Sequence, residues 1–593
     1  MMVSGWRVCI ALMCGALAAP GVTLQAQVDV VGNWHGFLTT PTGQLTLIVT
    51  ISQEADGRIQ GTLEVPEQLP GRKIPMTSVT VTDQVLAFTL QPLGASWEGK
   101  WDATEQRWSG TWKQGMDLPL QLVRGTPDAR PALVGLDGVW NGKVQRNGTD
   151  LRLVLRVTTG KQGTIMVLDS PDLGGFNIPV TEAMRRGDSV GFHVPASGAR
   201  WRGVLDTRGE GANRGSRMMG VWTLPGRPDA EVAFVRSDTV SSVRNRARPQ
   251  TPKEPFDYGV ESVRFDNPDA EGVTLAGTLT LPEGKGPFPV AILISGSGPQ
   301  DRDETVWGHK PFAVLADHLT RHGIAALRYD DRGFGESTGD HGSATSADFA
   351  TDANAAVRYL LTRPEINHRA IGLVGHSEGG MIGPLAAVDN EAVAFLVLLA
   401  GPGTSTAQLI RSQARLMGES QGVSAAEFTR ATPVRDTILA VVASATSTED
   451  AENRIRALLT PAALEALGVP TSQAERVVKE YGREWFRFFL QYDAAAVLSR
   501  LRIPVLALNG SLDQQVPADE NLAGIRAALT GHPDVTIQKL EGLNHLFQTS
   551  RTGALGEYAD IEETFSPTAM VIVVDWIMAR YGPVRAGNRP RLK

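Results

Sequence analysis

Two hydrophobic patterns divide this chain. Up to about residue 237, apolar and polar residues alternate in short runs such as "GQLTLIVTIS" and "DLRLVLRVTT", separated by glycine, asparagine or aspartate. Period-two alternation of that length predicts antiparallel strands with one face buried, as in a barrel or sandwich. From about residue 256 the apolar residues come in unbroken blocks: "PVAILISGSG", "GIAALRYDDRG", "AIGLVGHSEGG", "AFLVLLAGPG" and "IPVLALNGSLD". Each ends in glycine, aspartate or serine, and helical stretches such as "SADFATDANAAVRYLLTRP" lie between them. Strands apolar on both faces and alternating with helices predict a mostly parallel sheet covered on both sides. Its polar strand ends are where such sheets place their sites.

The alternating half repeats itself. Gly32-Asn33-Trp34-His35-Gly36 recurs as Gly138-Val139-Trp140-Asn141-Gly142. Further on, Leu63-Glu64-Val65-Pro66-Glu67 matches Leu168-Asp169-Ser170-Pro171-Asp172, Trp97-Glu98-Gly99 matches Trp201-Arg202-Gly203, and Gly110-Thr111-Trp112 matches Gly220-Val221-Trp222. Matches kept in one order predict a tandem duplication, 27–126 and 131–237, whose tryptophans plug the cores. A polar, basic, proline-containing linker follows at 238–255, and a catalytic domain at 256–585. Within that domain about a hundred residues, 403–500, separate two strands and read as helices, which predicts a lid. The duplicated β region has no reactive cluster and is expected to be structural or substrate-presenting.

At 593 residues the chain is too long for one core, and its net charge of −7 gives no reason to expect a nucleic-acid partner. Residues 1–26 have one arginine, a 12-residue apolar run from Val8 to Ala19, and small residues at Ala16-Leu17-Ala18 and Leu24-Gln25-Ala26. That is the layout of a secretory signal peptide, so a periplasmic or secreted protein is expected, with no stable membrane insertion after cleavage. Both cysteines, Cys9 and Cys14, lie in this segment, so no disulfide is expected after export. No H-E-x-x-H and no His/Cys cluster occurs, and neither a metal nor a cofactor is predicted.

The chemistry centres on Gly375-His376-Ser377-Glu378-Gly379, at the junction of an apolar block and a helical stretch. A serine projecting from a sheet edge needs a sharp strand-to-helix turn, and only very small neighbours fit around it. Ser377 is therefore the candidate nucleophile. Asp513 follows in "LALNGSLDQQVP", just past an apolar strand, and His545 in "LEGLNHLFQ", 32 residues later. In that order His545 serves as the base and Asp513 as its orienter, with Asp519 as a reserve acid. The oxyanion donors are expected to be the backbone N–H of Glu378 and that of Ser297 in Ser295-Gly296-Ser297-Gly298. Asp301, Arg302 and Asp303 are expected to brace that loop, and Asp330, Asp331 and Arg332 to lock a turn by ion pairing.

With "ISGSGPQDRDE", "RYDDRGFGEST", "GHSEGG", "NGSLDQQVP" and "GLNHLF" in that order, residues 256–585 resemble an α/β hydrolase of the branch holding serine aminopeptidase-like and dienelactone-hydrolase-like enzymes. The β repeats resemble a domain found before such hydrolases in exported bacterial proteins. The resemblance implies a serine hydrolase acting on a small-molecule ester through an acyl-enzyme, or a peptidase using the same triad on peptides. A binding protein on an inactive hydrolase scaffold is the remaining class.

Overall fold

The computed structural model describes residues 28–582 apart from 41–42, 70, 83, 115–116, 207–215, 226 and 238–246. Residues 1–26, expected to be a signal segment, and the first half of the expected linker lie outside the described residues. The alternating half forms two nine-stranded antiparallel sheets. In spatial order the first has the strands beginning at Ile74, Ile59, Gly43, Gly32, Asp117, Arg107, Ala95, Val85 and Ser78. The second has those beginning at Gly175, Gly163, Thr149, Gly138, Ala230, Arg217, Ala199, Ser189 and Thr181, the same order strand for strand. In the first sheet consecutive residues bond to strands near its opposite ends, Met76 N–H to Gly61 O at 2.9 Å and Thr77 N–H to Thr89 O at 2.8 Å. The sheet thus curls round on itself, which decides between barrel and sandwich in favour of a barrel-like closure.

The repeated tryptophans fill equivalent places. Trp34 and Trp140 are fully buried, and each indole N–H donates to the carbonyl four residues earlier, Val30 O at 2.8 Å and Leu136 O at 2.7 Å. Trp97 and Trp201, also buried, donate across their barrels to Leu120 O and Val232 O. A buried indole needs such an acceptor, so these rings are committed to the cores.

The continuous apolar blocks form one eight-stranded sheet, ordered by strands beginning at Gly259, Thr274, Ala325, Phe288, Ile366, Val393, Val505 and Val535. The first two strands run antiparallel, and the pairings from Ala325 onward are all parallel. Hydrophobic clusters lie on both faces. The insertion folds into helices from Thr406–Ser420 to Ala494–Leu498. Its aromatic residues divide: Phe489 and Tyr492 join the core of the catalytic sheet, whereas Phe486 packs in the insertion's own cluster with Ile438, Val442, Ile455 and Val478.

Candidate active site

Ser377 sits one residue past the strand Ile366–His376 and two before the helix Gly379–Ala387. Its φ is 53°, a left-handed conformation that costs a non-glycine residue on the order of 1–3 kcal/mol. The turn is sharp enough that a Cβ on Gly375 would overlap Gly379 O, and one on Gly379 would overlap Ile294 O. The serine amide is anchored to Leu399 O on the neighbouring strand at 2.8 Å. Glu304, Ala400 and Phe547 also have positive φ, and all three stand in loops that converge on this turn.

Asp513 and His545 come together as a buried pair. His545 Nδ1 lies 2.7 Å from Asp513 Oδ2, and both side chains are almost wholly shielded. A carboxylate only accepts, so Nδ1 carries the proton and Nε2 is left as a base. Asp513 Oδ1 takes the backbone N–H groups of Gln515 and Val516, both at 2.8 Å. That fixes the carboxylate independently of the histidine. Asp519 is elsewhere: its side chain is 87% exposed and paired with Lys539 at 2.9 Å.

The loop after Phe288–Ile294 backs onto the serine. A Cβ placed on Gly296 would stand 3.2 Å from Ser377 Cβ. Gly296 N–H is already bound to Glu304 Oε1 at 2.8 Å, whereas the next amide, the expected donor Ser297, is not taken up by Glu304. Glu378, at the mouth of the helix Gly379–Ala387, presents one of the amides left unpaired at a helix start. The predicted bracing is built as follows. Arg302 forks onto Asp330 at 3.0 and 2.6 Å and reaches Glu336, Asp303 pairs with Lys310 and Arg328, and Arg332 pairs with Asp352. Asp331, which pairs with no cation in the turn, instead accepts Ser295 Oγ and Gln300 N–H, and burial pushes its carboxyl well up.

Three contributors were not anticipated. His376 points both ring nitrogens at acceptors, Nδ1 at Glu304 Oε1 (2.8 Å) and Nε2 at His545 O (2.9 Å). Two acceptors require two donors, so it is an imidazolium. Burial opposes that charge, but Glu304 outweighs it and raises the histidine above its ordinary value. Glu304 thereby ties the oxyanion loop to the elbow, and His376 ties the elbow to the backbone of His545. The second contributor is Trp485, from the insertion helix Glu484–Gln491, whose indole N–H donates to Glu378 Oε1 at 2.7 Å. The same carboxylate accepts Ser346 Oγ at 2.6 Å, and burial raises it despite these donors. The third is Tyr558, fully buried, whose hydroxyl accepts Gln515 Nε2 at 3.4 Å, two residues from Asp513, and faces the backbone N–H of His545. The signals in the sequence for these were Glu304 closing the "DRDE" run, His376 inside the elbow motif and Trp485 in the aromatic run of the insertion.

A mostly parallel, doubly covered sheet with a serine at a strained strand-to-helix turn, then an acid and a histidine beyond later strands, defines the α/β-hydrolase fold. The C-terminal domain has that fold. Residues 309–549 match the family described as serine aminopeptidase, S33. Over 321 residues, 54% of this chain and 69% of the relative, the sequence is 28% identical to esterase EstD of Thermotoga maritima. A stretch of 145 residues is 30% identical to the uncharacterized protein PA2218 of Pseudomonas aeruginosa, covering 24% of this chain and 38% of that one. Among solved structures, the Pyrococcus furiosus esterase PF2001 is 16% identical, with 55% of this chain and 92% of that one covered and a TM-score of 0.36. Est1E from Butyrivibrio proteoclasticus is 17% identical, covering 54% of this chain and 98% of that one, with a TM-score of 0.31.

Proposed function

We propose that this chain is an exported serine esterase that cleaves carboxylic esters through an acyl-enzyme on Ser377. The observation that carries the reading is the shielded His545–Asp513 pair beside a serine held at φ 53°. His545 Nε2 takes the proton as Ser377 Oγ attacks the ester carbonyl. Asp513 holds the imidazole tautomer and stabilises its charged form. The amides of Glu378 and Ser297 receive the oxyanion, and the positive end of the helix starting at Gly379 adds to that field. The imidazolium returns the proton to the leaving alcohol, and water repeats the sequence to release the acid. The helical insertion is the lid in this reading, latched at Trp485, and residues 1–26 are the export signal.

The same triad would cleave an aminoacyl amide, and the family description keeps that alternative in view. Binding a substrate's free ammonium calls for an available carboxylate. Glu378, beside the nucleophile, is already engaged by Ser346 and Trp485, which favours esters. The test is a panel of p-nitrophenyl acyl esters beside aminoacyl p-nitroanilides, compared by kcat/KM. Faster turnover of the esters is expected. Preference for the anilides would replace the esterase reading with a peptidase, and no turnover of either would leave a binding protein.

A further inference from the structure

The two β-barrels differ at one structurally equivalent place, and the difference points at the histidine loop. Thr46 and Arg152 occupy matching positions, fixed by the pairing of Trp34 with Val49 and of Trp140 with Leu155. In the first barrel, Thr46 donates to Glu67 Oε1 at 2.7 Å, and Glu67 holds Arg130 of the segment between the barrels. In the second, the matching acid is Asp172 and the matching side chain is Arg152. Asp172 orients that guanidinium, at 2.9 Å from Nε and 2.7 Å from Nη2, and the remaining donors leave the barrel altogether. They reach Gly556 O at 2.6 Å and the Asp560 carboxylate in the catalytic domain. A Cβ on Gly556 would overlap Asp172 Oδ1, so the contact depends on a glycine.

The short helix gripped this way, Leu555–Tyr558, ends in the tyrosine whose hydroxyl accepts Gln515 Nε2 at 3.4 Å and faces the backbone N–H of His545. The segment after it is held from the same side. Arg248, within the linker, donates to Ala559 O at 2.9 Å and Ile561 O at 2.6 Å, and Gln250 Oε1 accepts the amides of Thr564 and Phe565. Residues expected to be a linker are therefore docked here, and much of what orders 556–565 comes from outside the catalytic domain.

We propose that the second β-barrel is a positioning element for the His545 loop, acting through Arg152, the helix Leu555–Tyr558 and the Tyr558 hydroxyl. This rests on the triad reading above. An arginine fork can satisfy Asp172, Gly556 O and Asp560 together, whereas a lysine is a single point donor. Loosening a general base by a fraction of an ångström lowers the chemical step more than substrate binding.

The test uses the full chain, with kcat and KM on p-nitrophenyl acetate, the rate of fluorophosphonate inactivation, the pH profile of kcat/KM, and thermal melting. Arg152→Ala should lower kcat and the inactivation rate together by about ten- to a hundredfold, with KM little changed. Arg152→Lys should recover part of the loss. Tyr558→Phe, which removes one hydroxyl and keeps the ring, should slow inactivation and displace the pH profile. Arg130→Ala, which removes the guanidinium held by the first barrel's matching acid Glu67, should leave kcat unchanged. The proposal is overturned if Arg152→Ala and Tyr558→Phe both react at wild-type rates. It is equally overturned if Arg130→Ala costs as much activity as Arg152→Ala, since general loosening would then explain both. A wild-type chain inert to fluorophosphonate would overturn the triad reading along with it, whereas a reactive wild type confines any failure to the positioning role.

Discussion

Replacing Asp513 by asparagine separates orientation from support. In the native site Oδ1 holds two backbone amides at 2.8 Å and Oδ2 holds the imidazole at 2.7 Å. Asparagine keeps one carbonyl oxygen, which can stay on Gln515 and Val516, and turns the other atom into an NH2 donor facing His545 Nδ1. The ring must then accept at Nδ1 and carry its proton at Nε2, where it can no longer take one from Ser377. In serine proteases that tautomer costs about 10⁴ in turnover, or about 5 kcal/mol of transition-state stabilisation. Folding should be nearly unaffected, because no buried amide loses its acceptor. Asp513→Ala should be as slow but also melt lower, since stranding buried amides costs about 1–3 kcal/mol each. Turnover of p-nitrophenyl acetate and thermal melts of both variants, with Asp519→Asn beside them, make the measurement. An Asp513→Asn protein within tenfold of wild type, or a severe Asp519→Asn defect, would refute the assignment of the acid.

The remaining predictions concern the surroundings. Trp485→Phe removes the insertion's donor to buried Glu378, a bond to a charged group worth about 1.5–3 kcal/mol, so stability should fall and KM for long-chain esters should shift more than for acetate. Gly375→Ala should abolish labelling and soluble yield together, because the added Cβ would overlap the Gly379 carbonyl, and expression trials with labelling check it. The His376–Glu304 pair raises the histidine's folded value, so its contribution is complete below about pH 6.5 and fades as pH rises through that higher value. Urea unfolding of wild type and Glu304→Gln across pH 6–9 should show the difference narrowing with rising pH.

Residues whose roles follow from local pattern were legible in the sequence. The block Ile371–Gly375 reads as a strand buried on both faces because it is one, between parallel neighbours. Ser377 could be picked out because the turn demands Gly375 and Gly379, a constraint visible within five residues. Asp513 and His545 could be paired because the order of strand ends in this kind of sheet brings them to one edge. What could not be read were contacts between distant segments. Glu304 and His376 are 72 residues apart, Trp485 and Glu378 are 107 apart, and Arg152 and Asp560 are 408 apart. Nothing in composition or periodicity marks Arg152 off from the other outward-facing residues of its strand. Closure of the β region was likewise left open between barrel and sandwich, because alternation reports which face is buried and not how a sheet's ends meet.

The central claim is that Ser377 is the nucleophile, and mass spectrometry of the full chain treated with a fluorophosphonate tests it most directly. The account predicts one adduct, on the peptide containing Ser377, absent from Ser377→Ala and formed far more slowly in Asp513→Asn. An adduct of wild-type extent on Ser377→Ala, or one mapped to another serine, would contradict it.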